Sequence, residues 1–206
     1  MSFDFTGIDN RPPLLIVLSG PSGVGKDATV NRMRQLKLPI HVVVTATTRP
    51  KRPNETQGID YHFVSKDEFQ HMINDSQLLE WARVYDNYYG IPKSEIKGAL
   101  EIGTNVIIKA DVQGSATIKK IAPDAILIFL IPPSLEELSE RLLRRHGQYS
   151  SDLELRLKTA EEEMQQLDIF DYVISSTKDN IDLIVSKIQA IITTEKCRVN
   201  PRIVNL

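Results

Sequence analysis

The 206-residue sequence has almost no cysteine: Cys197 stands alone near the C-terminus. One thiol closes no internal disulfide and builds no metal site by itself, and nothing here points to an oxidising compartment. An excess of basic charge is also missing. The formal net charge is -2, whereas a general nucleic-acid binder is markedly basic. Long apolar runs are missing too. The longest, Leu14–Leu18 and Ala125–Ile131, fall far short of the roughly 20 residues that span a bilayer. Residues 1–11 hold acids, with neither a basic leader nor an apolar stretch, so no signal peptide is expected. The expectation is a cytoplasmic protein of one domain, monomer or homodimer, with no nucleic-acid or membrane partner. Its 41% hydrophobic content is enough for a sizeable core.

What is present is an alternation of apolar runs and helical patterns. Leu14–Ser19, His41–Thr45, Asn105–Ala110, Ala125–Ile131 and Tyr172–Ser175 read as strands, and a helix is expected from about Lys26 to Leu36. Strands separated by helices imply right-handed crossovers and a parallel sheet covered on both faces. Three further helix starts carry a serine three residues before a glutamate: Ser65 with Glu68, Ser134 with Glu137, Ser151 with Glu154. Behind them Phe69, Met72 and Ile73, then Leu135, Leu138 and Leu142, then Leu153, Leu157, Ala160, Met164 and Leu167 read as core-facing stripes. Asp179 is placed to cap a last helix ending near Thr194, and the tail from Cys197 reads as irregular. Between Thr48 and about Ile91 the alternation breaks. That stretch holds the turn Arg49-Pro50-Lys51-Arg52-Pro53, two β-like pieces (Asp60–Val64 and Glu80–Val84) and one helix, and it reads as an insert on the main sheet.

The strongest motif is Gly20-Pro21-Ser22-Gly23-Val24-Gly25-Lys26, directly after a strand and opening a helix. Glycines let backbone N–H groups converge on phosphate oxygens, the helix N-terminus adds its positive dipole end, and the lysine reaches the terminal phosphates. Asp27 and Ala28 continue the loop into the helix. Position 27 usually carries a hydroxyl that binds Mg²⁺; the carboxylate of Asp27 could ligate the metal directly, or repel a triphosphate if left unpaired.

Further blocks run in order along the chain: Thr45-Ala46-Thr47-Thr48-Arg49-Pro50-Lys51-Arg52-Pro53, Glu55, Gly58, Asp60-Tyr61-His62-Phe63-Val64-Ser65, Glu80-Trp81-Ala82, Asn87-Tyr88-Tyr89-Gly90 and Asp111-Val112-Gln113-Gly114. With the Gly-Pro-Ser-Gly loop they closely resemble the guanylate kinases, from about Leu14 to Thr194. The resemblance implies an α/β P-loop NTPase fold with a parallel sheet flanked by helices. The core would cover about 12–45, 94–140 and 164–195, with a GMP-binding insert at about 46–93 and a lid at about 141–163. It implies transfer of the γ-phosphoryl group from ATP to GMP, with Mg²⁺. Residues 20–28 would bind ATP. Arg49, Arg52, Tyr61 and Tyr89 would hold the GMP phosphate, Thr45 and Glu80 would read guanine, and Asp111 would lie in the GMP site. Arg141, Arg145 and Arg156 would close over the transferring group, joining Lys26 and Arg49 in catalysis.

The residue chemistry agrees. Guanidinium forks match phosphate oxygens bidentately, and an ionised Glu80 can accept from the adjacent N1–H and N2–H₂ donors of guanine. Four positions depart from the family pattern: Asp27 for a hydroxyl, Lys109 for an acid, Ile91 for a hydroxyl residue and Ser176 for an asparagine. The first two exchange sign at positions expected to converge, which predicts an Asp27–Lys109 ion pair. Two other readings compete: a ribose 1,5-bisphosphate phosphokinase on the same scaffold, suggested by Gly25-Lys26-Asp27, and a weakly active or non-catalytic GMP-binding module.

Overall fold

The computed structural model describes residues 11–84, 86–146, 151–177 and 180–206; the side chains of residues 145, 146, 151 and 152 lie outside that description. In chain order the first elements are β1 (Leu15–Ser19), α1 (Lys26–Gln35), β2 (Ile40–Val42), β3 (Ala46–Thr47), β4 (His62–Phe63), α2 (Lys66–Asn74), β5 (Leu78–Val84) and β6 (Asn87–Pro92). There follow α3 (Lys93–Glu101), β7 (Asn105–Lys109), α4 (Val112–Ile121), β8 (Ile126–Ile131), α5 (Leu135–His146), α6 (Ser151–Met164), β9 (Tyr172–Ser175) and α7 (Ile181–Lys196).

The main sheet has the order β2-β7-β1-β8-β9, and every pairing in it is parallel. Its strands are apolar at nearly every position because both faces are covered. Leu14, Ile16 and Leu18 pack with Val30, Met33, Ile184 and Ile188 of α1 and α7. Leu15 and Val17, pointing the other way, pack with Ile96 of α3 and Ile118 of α4. Strand β2 stops at Val42, short of the expected Thr45, because the chain crosses to a second sheet at Ala46.

That second sheet has the order β4-β3-β6-β5; β3 and β4 are parallel and the other pairs antiparallel. It has its own small core of Ala46, Phe69 and Leu78, flanked by Met72, Ile73 and Tyr88. Gly90 is required there: a Cβ would come within 2.8 Å of Leu78 and 2.9 Å of Phe69. Helix α2 has the full reciprocal cap, with Glu68 N–H donating to Ser65 Oγ and Ser65 N–H to the Glu68 carboxylate. Glu95 of α3 ties the two sheets together, with one oxygen 2.7 Å from His41 Nε2 of β2 and the other 2.9 Å from His62 Nε2 of β4.

Helices α5 and α6 pack on each other through Leu138, Leu142, Leu153 and Ala160. Ser134 caps α5 by accepting from Glu137 N–H at 3.2 Å, and Oε1 of Glu137 accepts from Arg141. The last helix is capped by Asn180, which accepts from Leu183 N–H, and the expected cap Asp179 lies outside the described residues. The irregular tail is anchored, with Arg202 bonded to Glu195 and Val204 and Leu206 against the core. No described helix is long and apolar enough to cross a membrane.

Candidate active site

Three hollows meet at the carboxyl ends of the main-sheet strands, where open α/β sheets bind ligands. The first, of about 460 Å³, is lined by Gly20, Pro21, Ser22, Gly23, Gly25, Lys26, Asp27, Ala28, Asp111, Arg141 and Glu163. Val24 of the same loop faces the core instead. The loop's shape depends on glycine. Gly20 has φ 134° and a Cβ there would lie 2.3 Å from Leu130 O, while Gly25 has φ 112° as the residue before α1. Lys26 donates to the carbonyls of Gly20 and Pro21. Burial lowers its pKa from the ordinary value, and Glu163, Asp27 and Asp111 partly offset that.

Arg141 lines the wall of this hollow and is held by four hydrogen bonds. Its guanidinium donates to Val24 O at 3.0 Å, Ser176 Oγ at 3.2 Å, Ser176 O at 2.6 Å and Glu137 Oε1 at 2.5 Å. Ser176 Oγ also donates to Val24 O at 2.6 Å. The side chain at position 176 therefore braces the loop from below. Arg156 is half-buried on α6, and Arg144 is exposed and paired with Glu140. The side chain of Arg145 lies outside the described residues. Glu163, not anticipated from sequence, lines the loop; burial pushes its carboxyl up to about 7, against the opposing pull of Lys26. It stands seven residues after Arg156, on the same helical face, which was the available signal.

The second hollow, of about 290 Å³, is lined by Thr45, Glu80, Tyr89, Ile91, Asp111 and neighbours, and it reaches Lys26 and Asp27. Glu80 projects from β5, and burial, then Asp111, raises its pKa to about 7. Asp111 caps α4 by accepting from Gly114 N–H at 2.7 Å. A Cβ on Gly114 would sit 3.2 Å from Asp111 Oδ1 and 3.3 Å from Glu80 Oε2, so the glycine leaves room for both carboxylates.

The third hollow is lined by Asn31, Arg34, Arg49, Arg52, Glu55, Asp60, Tyr61 and Tyr89, with Asp27 and Lys109. Arg49 is held by Glu55 Oε1 at 2.6 Å and by Pro50 O at 2.7 Å, and its guanidinium lies 5.4 Å from the centroid of the Tyr61 ring. The other oxygen of Glu55 accepts from Arg52 N–H at 2.8 Å. Glu55 thus shapes the whole arginine turn, a role the sequence reading did not give it. Burial, then Asp27, pushes the Tyr61 hydroxyl up to about 12, so it stays a neutral donor.

Asp27 lines all three hollows. Its Oδ1 is 2.7 Å from Lys109 Nζ, the ion pair that the exchanged charges predict. Among the described residues no group of three or more His, Cys, Asp or Glu is arranged to hold a metal alone. The carboxylates of Asp27, Asp111 and Glu163 around the loop are hard oxygen donors of the kind Mg²⁺ takes alongside phosphate oxygens and water.

The family model described as "Guanylate kinase" matches residues 13–195. The chain is 44% identical over 195 residues to "Guanylate kinase 2, chloroplastic/mitochondrial" of Oryza sativa subsp. japonica, covering 94% of this chain and 68% of that one. It is 42% identical over 192 residues to a guanylate kinase of Clostridium perfringens, covering 93% and 88%. Among solved structures, a guanylate kinase of Anaplasma phagocytophilum superposes with a TM-score of 0.73 at 27% identity, over 92% of this chain and 89% of that one.

Proposed function

The chain belongs to the guanylate kinase family, and we propose that it is an ATP-dependent nucleoside-monophosphate kinase whose acceptor is GMP. The acceptor phosphate oxygen attacks the γ-phosphorus of ATP, the bond from that phosphorus to the bridging oxygen of ADP breaks, and ADP and GDP leave. Such a transfer needs little covalent help from the protein; it needs alignment and positive charge on the oxygens.

Each hollow supplies one part of that. The glycine loop and Lys26 take the donor phosphates, and Arg141 keeps the loop's base rigid. Arg49, Arg52, Tyr61 and Tyr89 take the acceptor phosphate. Thr45 and Glu80 face its base. Mg²⁺ would enter with the nucleotide, with Asp27 as the loop's own ligand, and would supply charge neutralisation at the phosphates. Arg145 and Arg156 remain candidate lid residues, on helices that bound the donor side.

The observation that carries the acceptor assignment is Glu80, a carboxylate half-buried in the second hollow whose raised pKa comes from burial and then Asp111, with no offsetting cation among those causes. Guanine presents two adjacent donors to such a group; adenine presents an acceptor there and leaves it mismatched. The test is ADP release with ATP and Mg²⁺, offering GMP, AMP, UMP and ribose 1,5-bisphosphate in turn. Turnover with GMP well above the others is expected. Turnover with ribose 1,5-bisphosphate in place of GMP, or GMP binding without turnover, would overturn the assignment.

A further inference from the structure

Lys109 is the last residue of β7, and its Cα pairs with Leu18 of the neighbouring β1, one residue before the glycine loop's approach. Its side chain therefore leaves the middle of the sheet at the level of the donor-phosphate loop. Lys109 Nζ lies 2.7 Å from Asp27 Oδ1 and 5.7 Å from the centroid of the Tyr61 ring. The Arg49 guanidinium faces that same ring at 5.4 Å. Two cations, Lys109 from β7 and Arg49 from the turn after β3, thus converge on one tyrosine. Lys109 lines both the base-side hollow and the arginine hollow, and Asp27 joins those two to the glycine loop.

We propose that Lys109 is a phosphate ligand for the acceptor nucleotide, additional to the arginine clamp, and that Asp27 holds its ammonium at the junction of donor and acceptor until the phosphate arrives. This rests on the GMP-acceptor reading above. The asymmetry of the pair supports it. The side chain of Lys109 is 16% exposed and that of Asp27 58%. Asp27 can turn to solvent at small desolvation cost when the pair opens, whereas Lys109 stays fixed among the hollows. A phosphate dianion also outbids a singly charged carboxylate for an ammonium. The need is electrostatic: acceptor phosphate and γ-phosphate must come within roughly 3–3.5 Å of each other while both are anionic, and a cation built into their junction offsets that repulsion.

The experiment is calorimetric titration of GMP, and of guanosine as its phosphate-free counterpart, into the wild type, Lys109→Met and Lys109→Arg, without ATP or divalent cations. Loss of one charge-assisted contact predicts GMP binding weakened about 10- to 100-fold in Lys109→Met. Guanosine binding should be unchanged, and Lys109→Arg should restore most of the GMP affinity. A measurement on the wild type does not depend on either variant's folding. With ¹³C-labelled lysine, the Lys109 side-chain resonance should shift with GMP and not with guanosine. Equal GMP affinity in Lys109→Met, parallel loss of GMP and guanosine, or a Lys109 resonance indifferent to GMP would each overturn the proposal. If the wild type itself fails to bind GMP, the acceptor reading falls first and takes this inference with it.

Discussion

Glu80→Gln exchanges a carboxylate for an amide of nearly equal size in the second hollow, and its consequences can be worked through. On the proposed function the ionised carboxylate accepts from both guanine donors. The amide keeps one acceptor and turns an NH₂ toward the other donor, so one charge-assisted hydrogen bond is lost and one donor is left unpaired. Together these cost about 3–5 kcal/mol, roughly 10²–10⁴ in kcat/KM for GMP. The Glu80 pKa of about 7 adds a pH signature. Because the pKa is raised and guanine needs the ionised form, recognition is complete above that value and fades as the pH falls through it. The ionised fraction drops about fivefold between pH 7 and pH 6, and kcat/KM for GMP should follow. The assay is the GMP-to-AMP ratio of kcat/KM across that range; both nucleotides carry the same 5′-phosphate, so its titration cancels. The ratio should fall with acidification in the wild type and stay flat in Glu80→Gln. A flat wild-type ratio, or a variant that keeps GMP activity within about fivefold, would rule out this role for Glu80.

Arg49→Lys keeps the charge but loses the fork held by Glu55 and Pro50; KM for GMP should rise about 10- to 100-fold with KM for ATP little changed, measured by varying each substrate at saturating levels of the other. Arg202→Ala removes the guanidinium from Glu195, a carboxylate only 2% exposed that Tyr172 O–H also reaches at 2.6 Å. With that hydroxyl left as a partner, the loss should be about 2–4 kcal/mol of stability in denaturant unfolding at neutral pH. Arg202 holds the Glu195 pKa below its ordinary 4.5. The wild type should therefore keep this contribution above about 4.5 and lose it as the pH falls below, while Arg202→Ala should show a smaller acid-side loss.

The main sheet was legible because its strands are apolar runs bounded by turn residues, and Tyr172–Ser175 has the expected bounds. The second sheet was only half legible. Asn87–Pro92 forms a strand although it contains Gly90 and Pro92, residues that weaken any local strand signal. The glycine is there because Leu78 and Phe69, distant in sequence, leave no room for a Cβ. The Asp27–Lys109 pair could be read from the exchanged signs of two motif positions. The bracing of Arg49 by Glu55 and of Arg141 by Ser176 could not, since each depends on carbonyls and side chains brought together only by the fold. Glu137 shows the same limit: its spacing to Ser134 fits a capping box, and the helix also brings Arg141, one turn on, to its carboxylate.

On the proposed function, ATP and GMP occupy adjoining hollows that meet over Asp27 and Lys109. Competitive binding of a bisubstrate ligand, adenosine and guanosine joined 5′ to 5′ through five phosphates, probes that arrangement. One molecule should bind per chain and displace ATP and GMP together. Displacement of only one nucleotide, or two ligand molecules per chain, would contradict it.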